Sequence, residues 1–224
     1  MRGLSIDVGV HNLALYIEEF DHTSLQDVCL PKEKKRYGFN NQVLSIYEEG
    51  MKQIYRNGKA IFMDKVNLSE KKGTQYDIQI FRNLTIYLDR IKDKIDECSF
   101  IVIEEQLKRN PMAQRVEQHC ISWVLINYLN LPIIRFPSRN KTCVLGAPKM
   151  KLVGKNYCKF KKTERKPFIK KWSCEKAKEI LSLRGDNETL DFIFLGHKKH
   201  DDLSDVITQM NAFKIRCFID KKLW

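Results

Sequence analysis

Asp7, Glu104, Asp202 and Asp205 are the residues of this chain whose types and spacing could do chemistry together. Asp7 closes the stretch Gly3-Leu4-Ser5-Ile6, and Glu104 closes Phe100-Ile101-Val102-Ile103. Asp202 and Asp205 are three apart at the start of a helical pattern, so both project from one face. Four carboxylates gathered in one place repel one another unless a cation neutralises them. An all-oxygen donor set suits a hard divalent ion, Mg²⁺ or Mn²⁺. Two such ions about 4 Å apart can activate a water and stabilise the leaving oxygen of a phosphodiester. Each acid alone has a plainer reading. Asp7 fits a turn cap, Glu104-Glu105 a solvated strand end, and Asp201 and Asp202 helix-cap and first-turn positions.

The elements that must position these acids follow from periodicity. Residues 3–18 read as a strand, a turn carrying Gly9 and Asn12, and a second strand. Helices are predicted over 42–56 and 76–96, where apolar residues recur at helical spacing, and a strand over 60–68. Residues 98–106 read as a strand buried on both faces. A helix over 111–129 starts at Pro111, a strand covers 131–136, and helices near 170–184 and 201–215 close the chain. This alternation predicts α/β with a largely parallel sheet, whose strand ends and helix starts meet along one edge.

The chain has 224 residues, which suits a single domain over 1–224. Forty Lys and Arg stand against 28 Asp and Glu, a net charge of +12 that points to an anionic partner. A basic chain with an acidic metal site is the electrostatic layout of a nuclease. No apolar run approaches the roughly 18 residues of a spanning helix, and an aspartate at position 7 interrupts any secretory leader. Seven scattered cysteines without a CxxC pair support neither a zinc site nor a disulfide framework; reduced thiols inside a cell are the simplest account. Lys32–Arg36 is a charge run expected as a solvated loop. Between Lys149 and Lys171 ten basic residues face one acid, Glu164, with Tyr157, Phe160 and Phe168 interleaved. Residues 138–168 are therefore expected to form a DNA-contacting loop, the alternative being a disordered linker. Its candidate DNA-binding residues are Lys155, Lys159, Lys161, Lys162, Arg165, Lys166 and Lys170. His11 and His200 flank the acids and are expected in surface or cap roles, His119 in a structural one.

Three blocks carry a family resemblance. They are Asp7-Val8-Gly9-Val10-His11-Asn12-Leu13-Ala14, then Val102-Ile103-Glu104-Glu105-Gln106, then Asp201-Asp202-Leu203-Ser204-Asp205. In order and approximate spacing they resemble the RuvC-like Holliday junction resolvases of the RNase H superfamily, most of all the poxvirus branch. The resemblance implies an RNase H-like α/β fold, a mixed central sheet flanked by helices, with residues 20–75 holding an inserted element. It implies that Asp7, Glu104, Asp202 and Asp205 bind the metal, two Mg²⁺ or Mn²⁺ ions per site, with Asp201 a neighbour or helix cap. It also implies a catalytic lysine at Lys171 or Lys170. The reaction would leave 5′-phosphate and 3′-hydroxyl ends, and paired cuts across a symmetric branched DNA imply a homodimer. The helix over 111–129, with Met112, Trp123 and Tyr128, is the candidate dimer face. A viral or organellar setting is implied, within host cytoplasm or nucleus. Two other readings use the same residues: a nuclease for RNA–DNA hybrids or other branched DNA, and a non-catalytic nucleic-acid-binding module.

Overall fold

Strands β1 (Arg2–Asp7) and β2 (Leu13–Glu19) form the antiparallel pair expected from the first eighteen residues. The chain continues through α1 (His22–Gln26), α2 (Ser45–Arg56) and β3 (Lys59–Val66), which adds to β2 as an antiparallel edge strand. Next come α3 (Ile78–Arg90), α4 (Lys92–Ile95), β4 (Phe100–Glu105), α5 (Pro111–Asn127) and β5 (Ile133–Pro137). The five strands lie in the order β3-β2-β1-β4-β5. Only the β1–β4 and β4–β5 pairings are parallel, so the sheet is mixed, as the resemblance implies and as alternation alone does not. After β5 follow α6 (Ser138–Val144), a hairpin of β6 (Met150–Val153) and β7 (Asn156–Lys159), then α7 (Lys162–Arg184), α8 (Asn187–Phe194), α9 (Asp201–Lys214) and one π-helical turn, Ile215–Ile219. This computed structural model describes residues 1–28, 30–31, 35–71, 76–197 and 199–222.

Period-two alternation builds two cores, one on each face of the sheet. Leu13, Leu15 and Ile17 of β2 face α3 and α5, joined by Leu84, Leu88, Val116 and Trp123. Ala14 and Tyr16 face the opposite layer, where α2, α7 and α9 contribute Met51, Ile180, Val206, Met210 and Phe213. Glu18 continues the Ala14–Tyr16 side, and alternation alone carries its charge inside. Arg184 Nη1 and Nη2 reach Glu18 Oε2 at 2.9 Å and Oε1 at 3.0 Å, and Lys214 Nζ reaches Oε1 at 2.5 Å. All three side chains are buried.

Two expectations are corrected here. Met112 and Trp123 are buried in the chain's own core, and Trp123 Nε1 donates to Asp89 Oδ1 at 2.8 Å, so they form no dimer face. Tyr128 Oη donates to Asp96 Oδ1 at 2.7 Å and leans on Trp123. Nor are residues 138–168 a loop or a linker: they fold as α6, the hairpin and the first turns of α7. Helix α7 begins at Lys162, eight residues before the expected start, and carries Pro167 inside it at the cost of one backbone hydrogen bond. Residues 20–75 hold α1, α2 and β3. Lys32, Glu33 and Lys34 of the charge run lie outside the described residues; Arg36 pairs with Asp220 at 2.6 Å. The six described cysteines are free, and no helix among the described residues is long and apolar enough to cross a membrane.

Candidate active site

The strand period also aims the first two carboxylates. Leu4 and Ile6 of β1, and Ile101 and Ile103 of β4, point into the α3–α5 core. Asp7 and Glu104 follow in the alternation and turn to the opposite face. The parallel register pairs Ile6 with Ile103, so the two acids end up side by side, within hydrogen-bond reach of each other. Burial, then the Glu104 charge, pushes the Asp7 carboxyl well above its ordinary value. Glu104 is buried too, yet the hydrogen bond from Asp7, the charge of Lys141 and the Ser138 hydroxyl hold it below the usual carboxylate range.

Helix α9 crosses that face and brings the third acid. Its axial position is set by Gln209, whose buried Nε2 lies 3.1 Å from Ser5 Oγ, 3.2 Å from Ile6 O and 3.2 Å from Val102 O. One turn earlier, Asp205 accepts from Ser173 Oγ at 2.5 Å and pairs with Lys141 Nζ at 2.9 Å. Lys141 is buried on α6. Burial works against its charge, but Asp205, Glu104 and Asp7 outweigh it and raise the ammonium above its ordinary range. The structure thus brings Asp7, Glu104 and Asp205 together around a lysine.

Asp202 sits a turn further out. Its Oδ2 is enclosed by protein and has no hydrogen-bond partner, and burial, then the neighbouring Asp201, raises its carboxyl. Asp201 itself pairs with Lys170, whose contact outweighs burial and lowers the carboxyl. Lys171, the expected catalytic lysine, is not with the carboxylates. Its side chain is 80% exposed and faces Glu175 at 3.8 Å, because one residue along α7 turns it by about 100°. Lys170 is the one on the acid side.

Among the described residues no three His, Cys, Asp or Glu side chains already form a coordination set; the Lys141 ammonium stands among the acids instead. The residues nonetheless fit a hard cation. Every candidate donor is a carboxylate oxygen, the Asp202 Oδ2 is buried without a partner, and the Glu104 charge beside Asp7 raises its carboxyl, as adjacent acids do where no cation lies between them.

The basic candidates divide. Lys155, Lys159, Lys161, Lys162 and Lys166 are exposed on the hairpin and the start of α7. Arg165 is engaged internally, donating to Pro148 O at 2.8 Å and lying over the Phe160 ring. His11 Nδ1 meets Asn67 Oδ1 at 3.2 Å, His200 Nε2 meets the His197 carbonyl at 2.5 Å, and His119 Nε2 meets the Thr85 hydroxyl at 2.8 Å. Lys141 was missed by sequence reasoning. Its one signal is position, four residues past the β5 strand at the same sheet edge as Asp7 and Glu104. Lys141→Met should leave three acids without their internal cation. A fall of roughly 5 °C or more in Tm is expected in chelator, read by differential scanning calorimetry.

No protein-family model matches the chain. It is 28% identical over 228 residues to the uncharacterized protein 170L of Invertebrate iridescent virus 6, covering 94% of this chain and 87% of that protein. It is 23% identical over 218 residues to the uncharacterized protein 97L of Invertebrate iridescent virus 3, covering 94% and 98%. Among solved structures, Thermus thermophilus RuvC superposes with a TM-score of 0.53 at 9% identity, over 99% of this chain and 96% of that one. The fowlpox virus resolvase, solved in complex with substrate Holliday junction DNA, superposes with a TM-score of 0.51 at 14% identity, over 96% and 98%. The mixed five-stranded sheet, the acids at its edge and the likeness over nearly the whole length agree: this chain has the RNase H-like α/β fold in the form taken by RuvC and the poxvirus resolvase.

Proposed function

We propose that this protein is a structure-selective DNA endonuclease that resolves four-way junctions by metal-dependent phosphodiester hydrolysis. The observation that carries the reading is the convergence of Asp7, Glu104 and Asp205 from three separate elements, with Asp202 beside them, in a fold shared with junction resolvases. Asp7, Glu104, Asp202 and Asp205 would hold one or two Mg²⁺ or Mn²⁺ ions. Bound there, the metal supplies an activated water and stabilises the departing 3′-oxygen. Lys141 and Lys170 set positive charge where the pentavalent phosphate develops negative charge, a role that falls to Lys170 rather than Lys171. Ser173 and Gln209 orient Asp205 and the helix that carries it.

Exposed Lys155, Lys159, Lys161, Lys162 and Lys166 give the phosphate backbone a basic face. Recognition by backbone charge makes affinity fall steeply with salt. Symmetric paired nicks need two active sites, and hence a two-fold homodimer. With Met112 and Trp123 committed to the core, the outer faces of α3 and α5 remain for it. There Ile78 and Ile86 are exposed around His119, and Ile126 is exposed further along α5. Both curated relatives belong to iridescent viruses, which supports a virus-encoded step in genome processing.

The test is cleavage of a labelled four-way junction in Mg²⁺ or Mn²⁺ beside a matched duplex and an RNA–DNA hybrid. Paired nicks confined to the junction, and abolished by chelator, are the expected outcome. Equal cutting of the hybrid would make this a different nuclease of the same fold. Tight junction binding without cutting in either metal would make it a binding module.

A further inference from the structure

The β6–β7 hairpin keeps apolar side chains in water. Its register pairs Leu152 with Tyr157 and Met150 with Lys159, so these four share one face. Leu152 is 62% exposed and Tyr157 is 52% exposed. Phe39, from the segment before α2, joins them at 75% exposure and meets the Tyr157 ring edge-on, with centroids 5.7 Å apart. The other aromatics of this basic region are occupied: Phe160 and Phe168 pack on each other at 4.4 Å, and Arg165 covers Phe160.

The hairpin is rooted rather than loose. Asn40 Nδ2 donates to Met150 O at 2.9 Å, and its Oδ1 accepts from the Lys149 and Met150 amides at 2.9 and 2.6 Å. Asn41 donates to carbonyls in the last turn of α6 and just beyond it, the closest being Ala147 O at 3.1 Å. Arg165 Nη1 ties Pro148 to α7, and Lys151 Nζ reaches Glu164 Oε1 at 2.7 Å. The two helices that hold this root are the ones that deliver Lys141, Lys170 and Ser173 to the acids.

Charge names the occupant. Lys149, Lys155, Lys159, Lys161, Lys162 and Lys166 are exposed on the hairpin and on the segments that flank it, with Lys159 on the Leu152–Tyr157 face. Glu164, the one acid in this stretch, is spent on Lys151 and on the Lys161 amide. Flat rings set among unneutralised cations match a polyanion that offers π faces.

We propose that Phe39, Tyr157 and Leu152 form a stacking platform for the exposed face of a base or base pair where a DNA branch opens. This rests on the branched-DNA reading above and deepens it. The platform gives selectivity for open branch points, because a continuous duplex has no uncovered base face to offer. The lysines bind any backbone; the rings choose the branch.

The experiment uses a four-way junction with 2-aminopurine at the crossover, a matched duplex, and anionic phosphatidylserine vesicles. Binding is measured in chelator and cleavage in Mg²⁺. Wild type should change the 2-aminopurine fluorescence. The double variant Phe39→Ala/Tyr157→Ala should lose about tenfold or more in junction affinity, keep its duplex affinity and Tm, and abolish the fluorescence change. Tyr157→Phe should retain both. A double variant that binds and perturbs the junction as wild type does overturns the platform and leaves the nuclease reading intact. A ring-dependent signal without cutting supports the platform and overturns the nuclease. Failure of wild type to bind branched DNA overturns both. Ring-dependent capture by the vesicles, with junction binding unchanged by the variants, assigns the patch to a membrane surface and overturns the platform.

Discussion

Asp7→Asn should cut a four-way junction on the order of a thousandfold more slowly than wild type while binding it equally well. Removing one carboxylate takes away a proposed metal ligand without touching the basic face. Asn is isosteric, and Ile6 and Ile103 still hold the strands in register. The variant also has a stability signature that a merely misfolded protein cannot copy. In the metal-free protein Asp7 is buried against Glu104, and burial and that neighbour raise its carboxyl. An amide relieves the repulsion, so Tm in chelator should stay level or rise. Loss of cutting together with a fall in Tm would mean that Asp7 serves the fold instead. Single-turnover cleavage, a binding isotherm in chelator and a thermal melt measure the three quantities.

The second large effect lies at the other end of α9. Glu18→Gln should destabilise the protein by about 3 kcal/mol or more and lower Tm by roughly ten degrees. It strands Arg184 and Lys214 in the core without a counter-charge. Lys214 can shed its proton, which limits the cost; a guanidinium cannot. Burial already pushes the Lys214 ammonium down to about 8, opposed by Glu18 and helped by Arg184. The unfolded chain therefore holds a proton above pH 8 that the native state has released. Stability from this group rises with pH from about 8 toward the ordinary lysine value of 10.5. Near and above pH 10 the buried Tyr16 phenol, raised chiefly by desolvation, works the other way. Lys214→Met should erase the rise between pH 8 and 9.5 at little cost in stability, since the Glu18–Arg184 pair survives. Calorimetric melts across that range test it; a wild-type profile no steeper than that of Lys214→Met would contradict the assignment.

The sequence made the acids legible because each carboxylate ends an apolar run or starts a periodic one. A strand that runs Phe-Ile-Val-Ile-Glu announces both its burial and the edge where it stops. Lys141 had no such frame. Ser138-Arg139-Asn140-Lys141 reads like any solvated basic stretch, and only the fold-back of α6 buries its fourth residue among acids. The hairpin was hidden by the shortness of its strands, although Gly154, at φ 60°, supplies the left-handed residue that its tight turn needs. Met112 and Trp123 were placed on the outside of their helix for another reason. Apolar residues wrap α5 all round, with Trp123 and Val124 inside and Leu125 and Ile126 outside, so its pattern cannot say which side faces the sheet.

Gln209 joins α9 to β1 and β4, and Lys214 and Arg184 join the same layer to β2 through Glu18. Helix and strands are thus latched at two points along one axis, with Phe213 packed between Phe100 and Phe136. Separating Asp205 from Asp7 by sliding or tilting α9 would break the amide latch, the ion triad and the aromatic stack together. The acid cluster consequently has no cheap local opening, and its native-state fluctuations belong to the same cooperative unit as the sheet. A chain built this way keeps its acid cluster assembled until the whole domain melts.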